Sequence, residues 1–212
     1  MDIHLEAEDK VAAFKGVESS LIYSAGYTAN VGLIPSLVQG KQDIIISDEL
    51  NHGSIIDGVR LTKAQRAVFP HNDMGAFEQV LKENQDAERK LVIVDGVFSM
   101  DGDICPLDEL TALAEEYNAM VMVDDCHATG FIGKNGKGSG EHCGVLDKVD
   151  IISSTFGKAL GGASGGFISA SKNIVDTLRQ KSRPYLFSNS LAPALVVACL
   201  KAIDIILSLI HI

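Results

Sequence analysis

The sequence predicts an α/β fold, a mostly parallel sheet flanked by helices on both faces. Three observations predict it. Short apolar runs alternate with helical stretches along the chain. Polar clusters follow those runs, where open parallel sheets bind ligands. No internal repeat or Pro/Ser-rich linker divides the 212 residues, and 46% of them are hydrophobic, which suits one domain with a sizeable core.

Residues 2–15 read as a helix, with a charged pattern from Met1-Asp2-Ile3-His4 onward in place of a signal peptide. A small-residue turn, Tyr23-Ser24-Ala25-Gly26-Tyr27-Thr28-Ala29-Asn30, opens the next helix. Residues 44–48 read as a strand and 54–61 as a helix. The near-continuous apolar run 91–95 is a strand, and 107–117 is an amphipathic helix with Leu107, Leu110, Leu113 and Ala114 on one face. Further strands are expected at 120–123, 149–153 and 166–170, with a helix over 172–180. The stretch 191–212 reads as a buried helix. Lys201 and Asp204 interrupt it, so it falls short of the ~18–20 apolar residues of a membrane span. It ends without a Gly or Asn stop signal, as a chain cut short would.

Composition excludes some functions. The formal net charge is -10, which argues against a nucleic-acid binder, since such proteins need basic surface to neutralise phosphates. Cys105, Cys126, Cys143 and Cys199 form no CxxC pair and read as free thiols of a cytoplasmic protein.

Four polar clusters, at 47–52, 95–99, 124–127 and 153–158, sit at expected strand ends and converge on one crevice. Asp124 closes an apolar strand and His127 follows three residues later. A carboxylate there suits a pyridinium nitrogen, and a histidine suits the ring oxygen. The same pair also suits a capping aspartate and a surface histidine. A metal site would need further local His or Cys ligands, which are absent. Lys158 stands in a small-residue loop where partial desolvation would make it a Schiff-base former. A solvated lysine in a glycine-rich loop is the plainer alternative. Thr155 offers a hydroxyl to a phosphate, and Gly157 allows close backbone approach. The turn at Gly26 and Tyr27 presents free N–H groups at a helix start without being a P-loop. His52 could stack on a planar ring or be one more surface histidine. Gly161–Gly166 precedes a strand, so it is no dinucleotide fingerprint.

Five segments carry a resemblance: 48–58, 98–102, 123–130, 155–166 and 183–193. On them the chain resembles the α-oxoamine synthase family of pyridoxal-phosphate (PLP) enzymes, of aspartate-aminotransferase-like fold type I, and in particular its glycine C-acetyltransferase branch. The resemblance implies that residues 1–212 form the PLP-binding large domain, without a leading segment and a C-terminal small domain that carries the substrate-binding arginine. It implies that Lys158 holds pyridoxal 5'-phosphate and later moves the substrate α-proton. By the same likeness Asp124 pairs with the ring nitrogen, His127 with the ring oxygen, and His52 stacks on the ring. Ser99 would lie near the ring oxygen. Gly26, Tyr27 and Thr155 would hold the phosphate. Ser188 would reach the phosphate of a neighbouring subunit, making the active sites shared in a homodimer. The implied reaction interconverts glycine and acetyl-CoA with 2-amino-3-ketobutyrate and CoA, as in threonine breakdown; the alternatives are another reaction of the family, of the 8-amino-7-oxononanoate synthase, 5-aminolevulinate synthase or serine palmitoyltransferase type, or a PLP-binding fragment without turnover. Cys126 stands where the family usually has Ala or Ser, and the likeness gives it no catalytic role.

Overall fold

The computed structural model describes residues 1–209. In chain order the elements are α1 (Asp2–Lys15), β1 (Ser19–Tyr23), α2 (Gly26–Leu37), β2 (Asp43–Asp48), α3 (Gly53–Arg60), β3 (Gln65–Phe69), α4 (Met74–Glu83), β4 (Arg89–Asp95), α5 (Leu107–Glu116) and β5 (Met120–Asp124). There follow α6 (Ser139–His142), a short 3₁₀ turn at Leu146–Lys148, β6 (Ile151–Thr155), β7 (Gly166–Ala170), α7 (Lys172–Lys181), α8 (Arg183–Phe187) and α9 (Pro193–Leu209). One seven-stranded sheet runs in the order β1-β7-β6-β5-β4-β2-β3. Its pairings are parallel from β6 through β3, and β7 runs antiparallel to both β6 and β1. The sheet is therefore mostly parallel with helices on both faces, as its apolar strands require.

Alternation along the strands builds two cores. Ile45, Ile93, Met122, Ile151 and Ile168 pack beneath α2, α3 and α7. Ile44, Ile46, Val92, Val94, Val121 and Val123 pack on the opposite face with α4 and α5. A third cluster joins Val11 and Phe14 of α1 to Val196, Cys199 and Ile203 of α9.

Several elements differ from the sequence reading. β1 and β3 were not expected. β1 is five residues long and opens on two serines; β3 is an edge strand, with Gln65 and Arg66 exposed and Val68 62% exposed. α4 was also unforeseen; Asp73 caps it, its Oδ1 accepting from Ala76 N at 2.9 Å. The strand expected at 149–153 lies two residues later, because Asp150 Oδ2 accepts the Val121 N–H at 2.8 Å and the ladder starts at Ile151. α9 is not wholly buried: Val197, Ile205 and Leu207 are exposed. The last three residues of the expected 191–212 helix lie outside the described residues.

Close backbone contact places the site. Gly166, at the start of β7, lies against Ala25 and Gly26, and a Cβ there would come within 2.4 Å of their backbone atoms. Gly166→Ala should therefore lower Tm sharply, by an overpacking cost of about 1–3 kcal/mol or more. At Gly53 an added Cβ meets nothing within 4 Å, so Gly53→Ala should leave Tm unchanged or raise it. Thermal melts of the two variants side by side test this; equal shifts would contradict it.

Candidate active site

The carboxyl ends of β4, β5 and β6 open onto one cleft of about 150 Å³, at the strand ends where open α/β sheets bind ligands. Asp95 and Asp124 form its floor, His127 and Cys126 one wall, and Thr155 and Lys158 another. The starts of α2 and α3 supply Gly26, Tyr27, His52 and Ser54. α2 and α3 lie tightly together because Gly58 has no side chain: a Cβ there would sit 2.8 Å from Ile34 Cδ1.

Asp124 is buried, and its charge is met by hydrogen bonds. Asn30 Nδ2 donates to its Oδ2 at 2.6 Å, and the backbone N–H of Cys126 donates to its Oδ1 at 3.0 Å. Asn30 Nδ2 also donates to Ser54 Oγ at 2.9 Å. Ser54 in turn meets His52 Nδ1, from its hydroxyl at 2.7 Å and its N–H at 3.2 Å. A donating backbone N–H makes Nδ1 an acceptor, which places the His52 proton on Nε2. A single chain of bonds thus joins Asp124 to His52.

His127 Nε2 lies 2.6 Å from Lys158 Nζ. Burial and the neighbouring ammonium hold the His127 pKa below the ordinary value, so the ring is a neutral acceptor for the Lys158 donor. Lys158 itself is exposed. This corrects the expectation that its loop would partly desolvate it; the glycine-rich segment leaves the amine open to water. Thr155 Oγ1 donates to Gly165 O at 2.8 Å and accepts from Gly157 N at 3.1 Å. The N–H groups of Gly26 and Tyr27 begin α2 and have no acceptor within a helix.

The structure brings Gly26, Tyr27, His52, Asp124, His127, Thr155 and Lys158 to this cleft. It does not bring Ser99 or Ser188 to it. Ser99 is exposed on the loop after β4, and Ser188 borders a separate groove with Pro35 and Phe187. Sequence reasoning placed Asp95 in a cluster at the crevice but gave it no role, and it gave none to Asn30 or Ser54. Asp95 was signalled by its place at the end of an apolar strand. Asn30 and Ser54 had no signal, since only the packing of α2 on α3 brings them together.

The residues fit a phosphorylated pyridine aldehyde. A Cβ at Gly26 would come 3.3 Å from Cys126 Sγ and 3.4 Å from Thr155 Cβ, filling the space in front of the free α2 N–H groups. The donor set supplies an amine, a buried carboxylate on the floor and an anion-attracting helix start. Among the described residues no group of three or more His, Cys, Asp or Glu is arranged to hold a metal ion, and no helix is long and apolar enough to cross a membrane.

Comparison with known proteins agrees with this geometry. The family model described as aminotransferase class I and II matches residues 1–209. The chain is 55% identical over 207 residues to the 2-amino-3-ketobutyrate coenzyme A ligase of Escherichia coli K12, covering 97% of this chain and 52% of that protein. It is 48% identical over 207 residues to the 8-amino-7-oxononanoate synthase of Geotalea daltonii, with the same coverage. Among solved structures, a serine palmitoyltransferase of S. paucimobilis with a bound PLP–myriocin aldimine superposes with a TM-score of 0.94 at 34% identity, over 98% of this chain and 52% of that one. The chain thus spans about half the length of the relatives it matches.

Asp95 generates a prediction. Burial, reinforced by the Asp124 carboxylate, pushes its pKa up to about 8. A carboxyl raised in the folded state contributes stability that is complete below its unfolded pKa, about 4, and is lost as pH rises through about 8. In cofactor-free protein, the wild type should lose more Tm between pH 5 and pH 9 than Asp95→Asn does. Parallel pH profiles for the two would contradict the shift.

Proposed function

The chain belongs to the class I and II aminotransferase family, and on that premise we propose that its cleft holds pyridoxal 5'-phosphate and serves an α-oxoamine synthase reaction. In the whole protein that reaction is the interconversion of glycine and acetyl-CoA with 2-amino-3-ketobutyrate and CoA. The observation that carries the proposal is Lys158 Nζ 2.6 Å from His127 Nε2, in one cleft with the buried Asp124 and with Gly26 and Tyr27 of the α2 start. The ligase relative of Escherichia coli K12 supports the choice of glycine and acetyl-CoA. An 8-amino-7-oxononanoate synthase or serine palmitoyltransferase type of reaction is the second reading, favoured by relatives bearing those names.

When bound, the cofactor supplies an electron sink for negative charge at the substrate α-carbon. The chain's own residues do the rest. Lys158 is the attachment amine and, once released, the base that takes and returns the α-proton. Asp124, held in place by the Asn30 amide and the Cys126 N–H, is the carboxylate that would pair with the ring nitrogen. His127, neutral, directs the Lys158 amine and takes its place beside the ring oxygen. His52 covers the ring. The Gly26 and Tyr27 N–H groups and the Thr155 hydroxyl would hold the phosphate. Ser188 acts on a neighbouring subunit in a homodimer. We further propose that this chain is the PLP-binding large domain of a cytoplasmic protein.

Protein supplied with PLP should show a visible absorbance band that borohydride abolishes, with the reduced pyridoxyl label on Lys158. A label on another lysine would refute the assignment. Acetyl-CoA should support glycine-dependent CoA release by the full-length protein better than longer acyl-CoAs or pimeloyl thioesters; the reverse preference would favour the second reading.

Mixing full-length Ser188→Ala with full-length Lys158→Ala should restore activity above that of either alone, because one of the two sites in a hybrid dimer is then intact. Hybrids that form without any recovery would exclude a cross-subunit Ser188.

A further inference from the structure

Behind the cleft lies a fully buried ion pair that the proposed chemistry does not use. Lys15, the last residue of α1, is 0% exposed. Its Nζ donates to Asp125 Oδ2 at 3.1 Å, Thr129 Oγ1 at 2.7 Å and Lys137 O at 2.6 Å, which uses all three ammonium protons. Burial lowers the Lys15 pKa. Asp125 is caged on its other side. Its Oδ1 accepts from Ser139 N at 3.0 Å and Ser139 Oγ at 2.6 Å. The cage has no spare room: a Cβ at Gly138 would come 1.5 Å from Asp125 Oδ2, and one at Gly96 2.6 Å from Asp125 Oδ1.

Asp125 directly follows Asp124, and successive residues of an extended chain face opposite ways. Asp124 points into the cleft and Asp125 points to the back. The backbone carbonyl of Asp125 then accepts the N–H groups of Ala128 at 3.0 Å and Thr129 at 2.9 Å, closing the turn that carries His127. Thr129 returns the turn to the same cluster through Lys15 and through Ser154 Oγ at 2.8 Å. The His127 ring therefore has both ends of its turn tied to one buried charge cluster.

We infer that the Lys15–Asp125 pair is a positioning pair, which sets the Asp124–His127 turn and so holds the histidine ring against Lys158. Isolated buried pairs rarely add net stability over apolar packing, but a caged pair allows only one geometry. The inference deepens the PLP reading of the cleft and rests on it.

The test uses full-length protein and three readouts: Tm, PLP affinity, and the pH midpoint of the visible PLP band. The variants are Asp125→Asn and Lys15→Met, with Asp73→Ala as a control that loses a helix cap far from the site. Asp125→Asn and Lys15→Met should weaken PLP binding roughly tenfold, as cutting a supporting shell does at metal sites, and should move the band midpoint. Asp73→Ala should lower Tm and leave both cofactor readouts unchanged. Should the charge variants not fold, Thr129→Val removes one oxygen from the cluster and should move the same readouts less far. A wild-type band with unmoved affinity and midpoint in the folded variants overturns the positioning role alone, as does an equal change in Asp73→Ala. Wild-type protein without any band overturns the PLP reading and this inference together.

Discussion

In the parallel ladder between β4 and β5, Asp95 stands opposite Asp124, and the chemistry of the cleft depends on that register. Two buried carboxylates at one sheet edge cannot both ionise without compensation. The chain compensates Asp124 with the Asn30 amide and the Cys126 N–H, and Asp95 with the His52 N–H at 2.9 Å. Burial, with the Asp124 carboxylate beside it, raises the Asp95 pKa, and a floor of two acids favours positive charge above it. A protonated ring nitrogen meets that demand, and so does the Lys158 ammonium at the rim. A one-residue slip between β4 and β5 would turn one of the two acids to the opposite face of the sheet.

The register works because the elements around it are held without freedom to adjust. Asn51 donates to Ile93 O at 2.7 Å and accepts from Asp95 N at 2.8 Å, tying the start of α3 to the end of β4. Gly58 lets α3 lie against α2, which delivers Ser54 to Asn30. Gly166 lets β7 lie against the start of α2, which delivers Gly26 to the cleft. Each contact is made by backbone or by a buried amide, so the groups lining the cleft are set by the fold itself.

How much of this was legible in the sequence follows from the kind of signal each part leaves. The central strands were readable because burial on both faces makes 91–95 and 120–124 almost wholly apolar. The edge strand β3 was not, since an edge needs only one apolar face and Gln65-Arg66 reads as loop. Asp124, His127, Thr155 and Lys158 were readable because parallel strands place their following residues at a common edge. The Asn30–Ser54 link was hidden, being a tertiary meeting of two helix starts 24 residues apart. The role of Asp125 was masked by its neighbour: two adjacent acids look alike in sequence, and only the pleat assigns one to the cleft and the other to Lys15.

That split also explains why the site divides into rigid and yielding parts. Asp95 and Asp124 sit on strands and need only hold charge in place. Lys158 must act at more than one position if it both attaches the cofactor and moves a proton, and it stands on a segment built for adjustment. Gly161 has φ +76° with nothing within 4 Å of an added Cβ, and Ala163 also adopts a positive φ of 69°. The segment is nonetheless anchored at both ends, by Thr155 Oγ1 to Gly165 O and by Gly162 N to Phe156 O at 2.8 Å. Phe156 is fully buried against Phe167, so the loop cannot drift away from β6 and β7. An exposed amine on an anchored loop can move while its reach stays fixed, and His127, tied from behind, defines where that reach ends.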